Sequence, residues 1–252
     1  MICWWPALDT LVDSHIHLHE YGEDWMKYCD GKYLMLAVSD DISSSTMTIE
    51  ISKKCEFVIP AIGVHPWNVS QIDTGYALES IEKLVTENNL LFLGEVGLDR
   101  TFHPETLDLQ VRVFEGLLKT ARDYGLGLSV HAAGAWRDAL TLLKKYRAPA
   151  AVFHWYTGPL ELIQEVIDEG YFIGINPALL IQKKHEVVLE RTPIEFVLTE
   201  SDGPYSYRGL TLGPELLDAL LKRISEVKSM ELKEVSEQVT KSFRRLVSQV
   251  TH

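Results

Sequence analysis

The sequence predicts an α/β chain folded as one (β/α)8 TIM barrel, a single domain over residues 1–252 with an extra helix at its C-terminal end. Three observations carry this. Short apolar runs rich in β-branched residues alternate with stretches whose apolar residues return every three or four positions, the pattern of βα units around a parallel sheet. Eight such runs can be counted. The length, 252 residues, also suits such barrels, which commonly run to about 250 residues.

In chain order the strands are expected near 11–16, 33–38, 57–64, 90–96, 126–131, 150–154, 170–175 and 195–201. The clearest helices fall at 104–124, 134–147, 159–169 and 213–228, where the apolar period is helical. Asn176-Pro177 and Gly203-Pro204 mark loops after the seventh and eighth strands, because the residue before proline avoids the helical region. A last amphipathic helix is expected from Glu231 to Val250. No linker or low-complexity stretch divides the chain.

Hydrophobic residues make up 46% of the chain and charged residues 24%, enough apolar mass for a sizeable core and far from a disordered composition. The 24 basic and 36 acidic residues leave a formal net charge of -12, so the mean field repels polyanions and any nucleic acid must be held locally. Cys3, Cys29 and Cys55 are odd in number and lack CxxC spacing, so they read as free thiols in a reducing cytoplasm. The apolar start, Met1 to Pro6, has no basic flank and is too short to span a bilayer. No membrane contact is expected, and the sequence leaves the oligomeric state open, a monomer included.

In a barrel of this type functional side chains project from the C-terminal ends of the strands. The first strand ends Asp13-Ser14-His15-Ile16-His17; its histidines are two apart, on one face by the period of a strand, and could share a metal ion. Such a pair is equally compatible with ordinary core or surface histidines. The fourth strand ends Gly94-Glu95-Val96-Gly97-Leu98-Asp99, placing a carboxylate where burial without a partner would be costly. The fifth ends at His131, the sixth at His154, and the eighth delivers Thr199-Glu200-Ser201-Asp202. Five strands thus bring metal-capable side chains to one rim.

These blocks, with Gly63-Val64-His65-Pro66, resemble the TatD family of metal-dependent hydrolases, in family order from residue 13 to 204. The resemblance implies that His15, His17 and Asp202 hold one divalent ion, that His131 and His154 hold a second, and that Glu95 bridges both. It also implies a deoxyribonuclease, often acting from a 3′ end on single strands. Ions about 3.5–4 Å apart can lower the pKa of a bridging water and clamp phosphoryl oxygens. Asp202 would orient or deprotonate that water, and His65 would touch the substrate phosphate or leaving group, or else support its neighbours through hydrogen bonds. The mixed donors suit zinc, manganese or iron; magnesium fits an imidazole-rich site less well.

The sequence departs from the family pattern in three places. Arg137 arrives late after His131, either replacing a nearby arginine or lying on the next helix. Trp155-Tyr156-Thr157-Gly158 adds aromatic surface, with Trp155 either stacking on a base or packing against loops. Tyr205 and Arg208 follow Asp202, and Arg208 could grip a phosphate or sit at the surface. Paired charges such as Lys53-Lys54, Lys144-Lys145, Lys183-Lys184 and Arg244-Arg245 read as solvated helix faces away from the rim. The leading reading is a phosphodiesterase on single-stranded DNA or another phosphoester. A hydrolase of a small ester, amide or phosphoester and a non-catalytic, metal-stabilised module are the alternatives.

Overall fold

A computed structural model describes residues 10–250; the expectations for Cys3 and the apolar start lie outside the described residues. Strands β1 (Leu11–Ile16), β2 (Tyr33–Ala37), β3 (Val58–Ile62), β4 (Phe92–Gly97), β5 (Gly127–His131), β6 (Ala150–Phe153), β7 (Phe172–Ile175) and β8 (Val197–Thr199) form one sheet in sequential order. Every neighbouring pair is parallel, which requires a crossover after each strand. A 3-10 stretch, Leu18–Tyr28, makes the first. Helices α1 (Ile42–Lys54), α2 (Thr74–Asn88), α3 (Leu107–Tyr124), α4 (Trp136–Tyr146), α5 (Leu162–Asp168) and α6 (Lys183–Arg191) make the next six. Helices α7 (Leu217–Lys228) and α8 (Leu232–Ser248) complete the outer ring. The first and last strands are tied by Thr199 Oγ1 to the Val12 carbonyl, 2.7 Å, and by the Asp202 amide to the His15 carbonyl, 2.9 Å. The (β/α)8 expectation stands.

Local chemistry explains the boundaries. Asp41 opens α1 with a capping box, accepting from the Ser44 amide at 2.7 Å while the Ser44 hydroxyl accepts from the Asp41 amide. Gly125, at φ 69°, closes α3 in the left-handed region. On α8 the buried residues Val235, Val239 and Phe243 recur at helical spacing and face the barrel. Strands such as β2, β4 and β6 are buried at every position, so they read as nearly continuous apolar runs.

Two features differ from the sequence expectation. Cys29 and Cys55 are joined in a disulfide, with Cα atoms 5.7 Å apart, so they are not free thiols and that argument for a reducing compartment falls away. The spacing gave no sign of this because the pairing is tertiary: Cys29 ends the 3-10 stretch and Cys55 ends α1. The segment after Asp202 is also not a plain loop. Strands β9 (Ser206–Tyr207) and β10 (Leu210–Thr211) form an antiparallel hairpin. Its turn residues, Arg208 at φ 50° and Gly209 at φ 84°, take the positive angles that tight hairpins demand. Among the described residues, no helix is long and apolar enough to cross a membrane.

Candidate metal centre

The C-terminal ends of the strands enclose a cavity of about 410 Å3, within the range of roughly 300–1,000 Å3 usual for small-molecule sites. At its floor lies Glu95, on β4 and 2% exposed. Five imidazoles surround its carboxylate. His131 Nδ1 is 2.7 Å from Oε1, His15 Nε2 and His17 Nε2 are each 3.3 Å from Oε2, His65 Nε2 is 3.4 Å away, and His154 Nε2 is 4.0 Å away. Asp202 Oδ1 sits 3.7 Å from Nε2 of His15, His17 and His154. The register of β1 shifts between Asp13 and Ile16, and that of β4 between Leu93 and Val96; such irregularities re-aim side chains, here beside His15 and Glu95.

The imidazoles are held from behind. His15 Nδ1 is 2.8 Å from the Ser129 hydroxyl and His17 Nδ1 is 3.2 Å from Asp40. His131 Nε2 meets Asp99 at 2.9 Å, and His154 Nδ1 lies 3.1 Å from Glu200. Each ring therefore turns one nitrogen toward the floor while a polar group stands behind the other, hydrogen-bonded to it in His15 and His131, the kind of outer support that metal-binding histidines use. Asp13 accepts from the amides of His15 and Ser201, 3.3 and 2.8 Å, and so ties β1 to the end of β8. His65 differs. Its Nδ1 accepts from the Trp67 amide at 3.2 Å, which leaves the proton on Nε2 and makes that face a donor.

The charges fit a cation. Burial, reinforced by His154, brings His15 down to about 4. Burial likewise brings His154 down to about 3, against the pull of Glu95, so both rings are neutral donors at pH 7. Burial opposes protonation of His131, but Asp99 and Glu95 outweigh it and raise the ring to about 9. Asp40 and Glu95 similarly outweigh burial to raise His17 well above its ordinary value. Those two protons balance the buried carboxylates when no cation does, and a divalent ion would take their place. Overlapping sets of ligand atoms, His15–His17–Asp202, His15–Glu95–His154 and His65–Glu95–His131, each lie within 4.8 Å of one another. Four imidazoles and two carboxylates suit zinc, manganese or iron better than an ion that prefers oxygen alone.

The structure brings His15, His17, His65, Glu95, His131, His154 and Asp202 into one cluster. Trp155 and Tyr205 line the cavity above it. Arg208 does not line it; its guanidinium lies 5.8 Å from the centre of the Tyr207 ring. Arg137 is on α4, exposed and paired with Glu165 at 3.1 Å. The Lys183-Lys184 expectation needs correction, since the start of α6 turns toward the mouth and Lys184 lines the cavity. Sequence reasoning passed over Asp40, His19 and Ser129 and gave Asp99 and Glu200 no role. His19, whose Nε2 lies 3.1 Å from Asp40, continues the alternation of His15 and His17, and Asp40 follows the second strand; both signals were readable.

Two residues at the site take unusual backbone angles. Trp155 at φ 42° and Asp202 at φ 55° occupy the left-handed region without being glycine, a conformation found mainly where surrounding structure enforces it. The Trp155 amide is held by Glu200 at 2.7 Å. Gly97 sits at φ 144°, and an added Cβ would collide with the His131 carbonyl oxygen, so only glycine lets β4 approach β5 here.

Residues 12–248 match the family model described as TatD related DNase. The chain is 27% identical to an uncharacterized metal-dependent hydrolase of Bacillus subtilis, YabD, covering 94% of this chain and 98% of that protein. It is 25% identical to a similarly described protein, MJ1582, of Methanocaldococcus jannaschii, covering 92% and 94%. Among solved structures, the TatD homologue YjjV of Escherichia coli K12 superposes with a TM-score of 0.86 at 18% identity, covering 95% of this chain and 98% of that one. The chain belongs to the TatD family of metal-dependent hydrolases.

Proposed function

We propose that the chain is a metal-dependent phosphodiesterase that cleaves single-stranded DNA from its 3′ end. The observation that carries this reading is the buried Glu95 carboxylate ringed by five imidazoles, with Asp202 beside them, at the floor of a cavity of small-ligand size. Two divalent ions bound by His15, His17, Glu95, His131, His154 and Asp202 would polarise the phosphoryl group and make water at the site more acidic.

The protein's own groups supply the rest. Burial pushes the Asp202 carboxyl well above the ordinary range, and Glu95 and Glu200 add to this against His17 and His131. Next to a cation that shift is offset, so Asp202 acts mainly by position, orienting a water and receiving its proton. His65 presents the Nε2 proton to a phosphoryl oxygen or to the departing oxygen. Trp155 and Tyr205 offer faces for one base, and Trp67, Phe102 and Trp136 keep the opposite wall apolar.

The test is hydrolysis of 5′-labelled single-stranded DNA with manganese or zinc. The Asp202→Asn protein is expected to lose at least about 100-fold in kcat, the scale of removing a group that acts in the transition state. Activity unchanged in that variant would remove the site assignment. A second reading, hydrolysis of a small ester or phosphoester, is favoured by one observation: Glu20 and Asp40 line the cavity, and only one lysine and no arginine among the described residues does. Cleavage of a small ester with indifference to added DNA would select it.

A further inference from the structure

Most of the cavity wall is neutral or acidic. Beyond the imidazoles, its charged lining consists of Glu20, Asp40, Glu95, Asp202 and Lys184, and Lys184 is the single lysine or arginine among the described residues that line it. Its side chain is exposed, and no ion pair or hydrogen bond to it is seen. Arg137 is paired with Glu165 and Arg100 with Asp138 at 2.7 Å, and Arg208, against the Tyr207 ring, does not line the cavity. On α4, Lys144 is matched by Glu169 and Lys145 by Glu115.

The segment that carries Lys184 is fixed. Immediately before α6, the Gln182 side-chain amide donates to the Tyr207 hydroxyl at 2.6 Å, fastening this corner to the β9–β10 hairpin. Tyr207 meets Trp155 edge to face at 4.9 Å. The next residue, His185, is buried with its ring 6.3 Å from that of Trp155. Burial and the Lys184 charge together bring His185 down to about 4, so it stays neutral and does not compete for an anion. One wall of the cavity therefore combines aromatic faces with a single free ammonium.

We propose that Lys184 anchors the phosphate one nucleotide removed from the bond being cleaved, so that the site grips two phosphates and one base rather than a tract of polynucleotide. This rests on the phosphodiester reading above and adds a specificity-determining residue to it. The attacked phosphate and its neighbour, entering a mouth lined by Glu20 and Asp40, need a fixed positive charge outside the metal ligands, and Lys184 is the one that lines the cavity. A longer strand gains less, because no further lysine or arginine among the described residues lines the cavity.

The experiment uses dithymidine dinucleotides with and without a 5′ phosphate. Each is assayed for hydrolysis by the full chain loaded with manganese, and for equilibrium binding to the Asp202→Asn protein, which needs no turnover. The 5′ phosphate is expected to improve both kcat/KM and Kd about 10-fold, the scale of one charge-assisted hydrogen bond. In the Lys184→Ala protein that advantage should vanish, and Lys184→Arg should restore most of it. An equal loss for both dinucleotides, or a 5′-phosphate advantage that survives Lys184→Ala, overturns the proposal. If neither dinucleotide is cleaved yet the binding advantage depends on Lys184, the anion anchor stands and the phosphodiester reading fails.

Discussion

His131 is gripped at both nitrogens, by Glu95 at 2.7 Å and by Asp99 at 2.9 Å, and Asp99 also receives the Trp67 indole N–H and the amides of Thr101 and Phe102. One buried carboxylate thus aims an imidazole and orders the loop after β4. Replacing Asp99 with Asn is expected to weaken metal affinity by about 10–100-fold, the usual effect of losing a group that orients a ligating histidine; titration against a chelator reads it, and an unchanged affinity would remove Asp99 from this role. His185 gives a test away from the metal ligands. Its folded pKa is near 4 against an ordinary value near 6.5, so the unfolded chain takes up a proton first as pH falls. Stability is unaffected above about pH 6.5, declines below it, and the loss is complete below about pH 4. Between pH 7 and pH 5 this amounts to about 2 kcal/mol, which denaturant unfolding should show as a steeper pH dependence for the native chain than for His185→Leu. Parallel profiles would contradict it. At this scale the metal-capable side chains were legible because strand ends predict them, whereas Ser129 and Glu200 were not assigned because a partner standing behind an imidazole is set by packing between strands far apart in sequence.

The helices of the outer ring bury one stripe each against the barrel. On α8, Phe243 is fully buried, and the Ser242 hydroxyl beside it donates to the Glu195 carbonyl at 2.9 Å, ahead of β8. Phe243→Ala is expected to cost about 3–5 kcal/mol through lost burial and the cavity left behind; a change below about 1 kcal/mol by denaturant titration would mean that α8 does not support the strand that delivers Asp202. Such stripes were readable from period alone, and α3, α4, α7 and α8 fall where the apolar spacing puts them. Period says nothing about the short pieces. The β9–β10 hairpin has two residues per strand, too few to alternate visibly, and its Arg208-Gly209 turn is not one of the strongest turn pairs. The position of Lys184 was misjudged for a related reason: a charged pair looks like any solvated helix face until the direction of the preceding loop is known.

For the molecule as a whole, strand order, closure and the convergence of site residues follow from eight repeats of one unit, which is why the barrel could be read from the sequence while the Cys29–Cys55 link, a contact between two crossovers, could not. The formal net charge of -12 and the acidic mouth set the substrate problem, and the centre beneath it sets the chemistry. Any ion that binds only the folded chain also stabilises it, by about 2.7 kcal/mol at one hundred times its dissociation constant, so occupancy and stability should move together. The most direct measurement is the divalent metal content of the purified chain after equilibration with zinc or manganese and removal of free ion. Two equivalents per chain are predicted for the native protein, with loss of at least one in Glu95→Ala. Less than one equivalent in the native protein, or an unchanged content in Glu95→Ala, would contradict a centre built on that carboxylate.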